Sequence, residues 1–86
     1  MTSYYNGKFV DFTQAVQRTG AKTHTWAVLT VQGHIPVGAV KWFGRWRGYA
    51  FFPSAETVFE QHCLRDIARF CEERTREHRL ARRVAA

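Results

Sequence analysis

The apolar residues of this chain change period once, and that change limits the fold more than any other feature. Thr25 to Gln32 reads Thr-Trp-Ala-Val-Leu-Thr-Val-Gln, a β-branched and aromatic run suited to a strand. Val37 to Phe43 continues in extended form after the break at Gly33-His34-Ile35-Pro36. Gly44-Arg45-Trp46-Arg47-Gly48 then turns the chain, and Tyr49 to Phe52 returns antiparallel before Pro53 stops it. From Glu60 onward Cys63, Ile67, Phe70 and Cys71, with Leu64 beside them, recur every three or four residues and predict an amphipathic helix. Residues 9–19 fit either period, since Phe9, Phe12 and Val16 suit a helix and Phe12, Gln14, Val16 and Arg18 suit a strand; the reading here leans to strand.

The expected fold is therefore α+β, with an antiparallel sheet of three or four strands and one long C-terminal amphipathic helix packed on one face. A single small domain spans 1–86, with the sheet over about 9–52, the helix over about 60–78 and a basic tail at 79–86. The apolar stripe stops after Cys71, leaving Leu80 and Val84, so the distal helix is expected to project or fray. Arg69 with Glu73 and Glu72 with Arg76 are i,i+4 pairs that would neutralise the outer helix face.

Composition narrows the class of function. A chain of 86 residues buries only about 60% of its unfolded surface, too little for a large two-lobed catalytic cleft. Its 45% hydrophobic and 15% aromatic content suffices for a packed core. Thirteen Lys and Arg against seven Asp and Glu give a net charge of +6, which favours acidic partners such as nucleic acid. No apolar run reaches the ~18 residues needed to cross a bilayer, and Met1 to Lys8 lacks the apolar core of a secretory signal, so the expectation is a cytoplasmic protein with no membrane partner. Cys63 and Cys71, eight apart on one helix, would lie ~12 Å from each other and cannot form a disulfide.

Chemistry-bearing constellations are sparse. His62 with Asp66, and Cys71 with His78, lack the paired short spacings of a structural zinc site, so no metal or cofactor is expected. Cys63 and His62 are adjacent on a helix and point about 100° apart, which argues against an activated nucleophile. His24 and His34 sit near strand ends with no acid close in sequence and read as solvated loop residues. With neither a catalytic carboxylate pair nor a phosphate-binding glycine loop, an enzyme is not expected.

The informative segment is 38–52, Gly-Ala-Val-Lys-Trp-Phe-Gly-Arg-Trp-Arg-Gly-Tyr-Ala-Phe-Phe, where cations interleave with aromatics on both faces of the hairpin. One helix cannot cover both faces, so part of this set must be solvent-facing or held by a partner. The segment resembles the nucleic-acid-binding motif of cold-shock domains, whose first hairpin reads approximately Gly-x-Val-Lys-Trp-Phe-Asn-x-x-x-Gly-Phe/Tyr-Gly-Phe-Ile. The resemblance implies Trp42, Tyr49 and Phe51 as a base-stacking platform, Lys41 as a backbone contact, and Arg47 as the basic residue ahead of the glycine. Gly44, Ala50 and Phe52 depart from that motif, and the later strands of the cold-shock barrel give way here to a charged helix, so the similarity is one of surface chemistry. A longer stretch, from Trp26 through the hairpin to Cys63-Leu64-Arg65-Asp66-Ile67-Ala68-Arg69-Phe70, looks like a group of small uncharacterised proteins of phages and mobile elements. That resemblance implies a setting in the host cytoplasm, where small proteins bind nucleic acid or block a host machine.

Two readings remain open on the same residues. In the first, a non-enzymatic phage-type protein binds nucleic acid or a nucleoprotein complex through Lys41, Trp42, Arg45, Trp46, Arg47, Tyr49 and Phe51, extended by Arg79, Arg82 and Arg83. In the second, an inhibitor docks on a host protein such as a CRISPR or other defence component, because an aromatic-arginine cluster is also the composition of a protein-binding hot spot. A homodimer through the uncovered sheet face would absorb the same aromatics. Burial of Trp42 and Phe51, or of the alternate set, beneath the helix is the ordinary role of such residues.

Overall fold

The computed structural model describes residues 4–6, 9–15, 20 and 22–85. Five strands, β1 (Tyr4–Asn6), β2 (Val10–Gln14), β3 (Thr25–Thr30), β4 (Pro36–Phe43) and β5 (Gly48–Pro53), form one antiparallel meander in chain order. The helix α1 (Gln61–Ala85) follows. The expected α+β architecture is thus observed, with the three-residue β1 added at one edge of the sheet. Within 9–19 the strand reading holds for Val10–Gln14, while Val16 and Arg18 lie outside the described residues.

Register decides which side chains face the helix. Phe12 pairs with Val28, Trp26 with Val40, Val40 with Phe51 and Trp42 with Tyr49. All of these therefore share one face. The core on that face is Val10, Phe12, Trp26, Val28 and Val40, closed from above by Ile67 and Phe70, with Tyr49, Phe51, Phe59, Cys63 and Cys71 packed around it. The helix stripe expected from the sequence makes this contact, except that Leu64 is exposed.

Phe70 is the anchor. Its ring lies 3.9 Å from that of Phe12 at an interplanar angle of 1°, and Trp26 meets it edge-on at 4.9 Å. Arg74, one turn on, lays its guanidinium over both Phe70 (4.7 Å) and Trp26 (5.7 Å). Further along, the helix runs beside the outer edge of β5, where the Tyr49 N–H donates to Thr75 Oγ1 at 2.9 Å, so a sheet-edge donor that would otherwise face solvent is occupied. Gly38 is required beneath Phe51, since a Cβ there would lie 2.6 Å from that ring and 2.7 Å from the Phe52 carbonyl oxygen.

The helix continues in regular form through Ala85, so the segment expected to be a basic tail is helical. Arg, Glu, Leu and Ala are strong helix formers, the run contains no Gly or Pro, and Arg82 and Arg83 in the last turn oppose the negative end of the helix dipole. At 1.5 Å per residue the helix is about 37 Å long, against about 27 Å for β4, and its basic half runs on past the sheet. No helix among the described residues is long and apolar enough to cross a membrane.

Because Phe70 is fully buried where its ring stacks flat on Phe12 of the sheet, Phe70→Ala should cost about 3–5 kcal/mol, a large part of the stability of a domain this size. Thermal denaturation followed by circular dichroism checks this, with the exposed Leu64→Ala as a control expected to change stability by less than about 0.5 kcal/mol.

Candidate nucleic-acid interface

The sheet divides the expected site residues between its two sides. Trp42, Tyr49 and Phe51 lie on the helix side. Phe51 meets Phe59 edge-on at 5.0 Å, Tyr49 Oη accepts the His24 N–H at 3.1 Å, and Trp42 packs at 4.4 Å from the His78 ring. The three do not form an open stacking platform, because the helix and the chain leading into it lie over them. Lys41, by contrast, is exposed on the other face, where its ammonium sits 4.5 Å above the Phe52 ring.

The β4–β5 turn carries Arg45, Trp46 and Arg47, all exposed, with Trp46 at 73%. Trp46 N–H donates to the Phe43 carbonyl and Arg47 N–H to that of Gly44, each at 3.2 Å. Arg47 is held at φ 51°, a left-handed conformation that costs a non-glycine residue about 1–2 kcal/mol. Glycine would fit this position better, as it would at His34 (φ 50°) and Glu56 (φ 60°), which share the left-handed conformation.

The arrangement of charge is clearer in space than along the chain. The helix starts near the β3–β4 loop and ends beyond the β4–β5 turn, so Asp11, Glu56, Glu60 and Asp66 gather toward one end of the molecule. Lys22, Arg45, Arg47, Arg76, Arg79, Arg82 and Arg83 gather toward the other. The pairs expected along the helix, Arg69 with Glu73 and Glu72 with Arg76, are not formed among the described residues. Arg74 takes Glu73 at 3.6 Å and Glu77 at 3.1 Å, its own side chain only 15% exposed. A guanidinium held against two aromatic rings is partly stripped of water and draws the neighbouring carboxylates to itself. The distal arginines are left without ion pairs among the described residues, and with Glu72 they border a groove of about 780 Å³ that Tyr49, Cys71 and Thr75 also line.

The remaining polar residues have structural roles. Glu60 caps the helix. Its carbonyl accepts the Leu64 N–H at 3.1 Å, and its carboxylate accepts the Cys63 N–H and the His62 Nδ1–H, each at 2.7 Å. The His62 bond foremost, then the Cys63 N–H, lowers the Glu60 pKa. Both thiols are free. Burial raises the Cys71 pKa to about 11 and, with the adjacent Glu60, raises that of Cys63, leaving little thiolate at neutral pH. His34 is exposed in its loop, as expected, and its Nδ1 also lies 3.9 Å from the carboxylate of Asp11, itself only 2% exposed, on β2. His24, likewise expected in solvent, is partly buried and pairs with Gln14. No group of three or more His, Cys, Asp or Glu among the described residues is placed to hold a metal ion.

Among proteins of known sequence, a 9.3 kDa protein of Acholeplasma phage L2, itself uncharacterised, is 30% identical over 64 residues, covering 74% of this chain and 82% of its own length. No protein-family model and no solved structure matches.

Two measurements follow from this geometry. Arg47→Gly should leave the melting temperature unchanged or raise it by a few degrees through relief of the left-handed strain, while weakening partner binding. Glu60→Gln should lower the melting temperature at pH 7 and have little effect near pH 3. A carboxylate whose pKa is depressed on folding stabilises above its unfolded value of 4.5 and loses that effect as pH falls through the folded value.

Proposed function

The chain belongs to the same family as the 9.3 kDa phage L2 protein, and from that setting we propose that it is a small non-enzymatic phage protein that binds nucleic acid, alone or within a nucleoprotein complex. The observation that carries this reading is the polarised charge. Arg45 and Arg47 on the turn and Arg76, Arg79, Arg82 and Arg83 on the overhanging helix stand at one end, while of the acids nearest them on the helix Glu73 and Glu77 are held by Arg74 and Glu72 alone borders their groove. Cations spaced along a projecting helix suit a polyphosphate backbone, which supplies negative charge at regular intervals and gains entropy from released counterions. Nothing in this binding requires a reacting group, and the raised thiol pKa values fit a chain that performs no nucleophilic chemistry.

A second reading has its own support. Trp46, 73% exposed between two arginines, has the composition and exposure of a protein-binding hot spot, as an inhibitor docking on a host defence protein would need.

Fluorescence anisotropy of a labelled oligonucleotide separates the two. If phosphates dominate, affinity should fall at least tenfold between about 50 and about 200 mM salt, and replacing Arg79, Arg82 and Arg83 together by Ala should weaken binding and flatten the logarithmic salt slope by about 2. Absence of binding to DNA and RNA at 50 mM salt would overturn the proposal in favour of a protein target.

A further inference from the structure

The side of the sheet away from the helix carries a second aromatic set. Alternation along β4 and β5 places Ala39, Lys41, Phe43, Ala50 and Phe52 there, and Ala27 of β3 pairs with Ala39. The three alanines keep the centre of this face low, and beside them Phe43 and Phe52 are half-buried while Trp46 at the turn is exposed. Phe43 meets Phe52 at 6.0 Å between centroids and meets the exposed Trp46 at 4.9 Å, giving a continuous run of three rings. Lys41 caps one end of the run and Arg45 and Arg47 flank the other. The helix lies on the other side of the sheet, and on this side the β3–β4 loop reaches Asp11 at the opposite corner, away from these rings.

We infer that this face, and not the Trp42, Tyr49 and Phe51 set beneath the helix, takes the unstacked bases of a single-stranded nucleic acid, with Phe52, Phe43 and Trp46 as the stacking surface and Lys41, Arg45 and Arg47 on the phosphates. The inference rests on the nucleic-acid reading above and adds the strand state to it. Charge decides the occupant. A second copy docked on the same face about a two-fold axis would set three cations against their own counterparts in a chain of net charge +6, which opposes self-association. A single strand supplies both the flat π-surfaces that the rings bind and the anions that the cations bind. A duplex supplies the anions alone, its bases being already stacked.

The test compares an oligothymidylate with a duplex of equal length at low salt. The protein should bind the single strand more tightly, with quenching of tryptophan fluorescence that disappears in Trp46→Phe, since Trp26 and Trp42 lie on the helix side of the sheet. Phe52→Leu, which keeps an apolar side chain and loses only the flat ring, should weaken single-strand binding about fivefold or more and leave duplex binding and the melting temperature nearly unchanged. Equal affinity for both forms, with no quenching and no effect of Phe52→Leu, would overturn this inference while leaving nucleic-acid binding in place. Failure to bind either form would overturn both. A concentration-dependent dimer abolished by Phe52→Leu would assign the face to a second copy instead.

Discussion

The fold depends on one stack of groups: Phe12 in the sheet, Phe70 in the helix lying flat on it, Trp26 against the edge, and the Arg74 guanidinium over both Phe70 and Trp26. It fixes which side of the sheet the helix covers and therefore which aromatics are core and which are surface. It also shapes the electrostatics of the distal half, because an arginine held over two rings engages Glu73 and Glu77, while Arg76, Arg79, Arg82 and Arg83 carry no ion pairs among the described residues. Core packing and surface charge thus have a common cause in this small domain. A chain of this length has one helix and one sheet with which to bury its apolar area, so what the helix does not cover stays in contact with solvent.

Much of this was legible in the sequence. The switch from alternating to three-and-four spacing after Phe52 located the sheet and the helix, and the two glycines around Arg45-Trp46-Arg47 located the turn. What alternation alone could not decide was the face. Val40, Trp42, Tyr49 and Phe51 are matched on the other side of the same two strands by Phe43 and Phe52, and the choice between the two sets is made by Phe12 and Trp26, which are far away in sequence. The ion pairs were misread for a related reason. Helical spacing makes Arg69 with Glu73 as good a pair as Arg74 with Glu77, and only the rings beneath Arg74 distinguish them. The last turns of α1 carry little apolar signal, and they are helical by propensity and by the absence of breakers. His34 meets Asp11 only because the β3–β4 loop folds back over β2, a contact no local pattern announces.

The candidate site is a place where local preference is overridden. Arg47 occupies a left-handed backbone position that suits glycine, and Trp46 beside it is 73% exposed, although a tryptophan gains most from burial. These two departures fall in adjacent residues at the tip of a hairpin, at the end of the molecule toward which Arg76, Arg79, Arg82 and Arg83 project. The acid-rich opposite end has left-handed backbone of its own at His34 (φ 50°) and Glu56 (φ 60°), but its acids are held within the fold: Glu60 caps the helix, Asp66 accepts the Phe9 N–H at 2.8 Å, and Asp11 is buried.

The most direct test of the account is a chemical-shift titration of the isotopically labelled protein with oligothymidylate, following backbone amides and aromatic side chains. The largest changes are expected at Lys41, Phe43, Trp46, Arg47 and Phe52 and along the arginines of the distal helix, with Phe12, Trp26, Tyr49 and Phe70 essentially still. Changes centred on Trp42, Tyr49 and Phe51, or on the acidic end around Glu60 and Asp66, would contradict it.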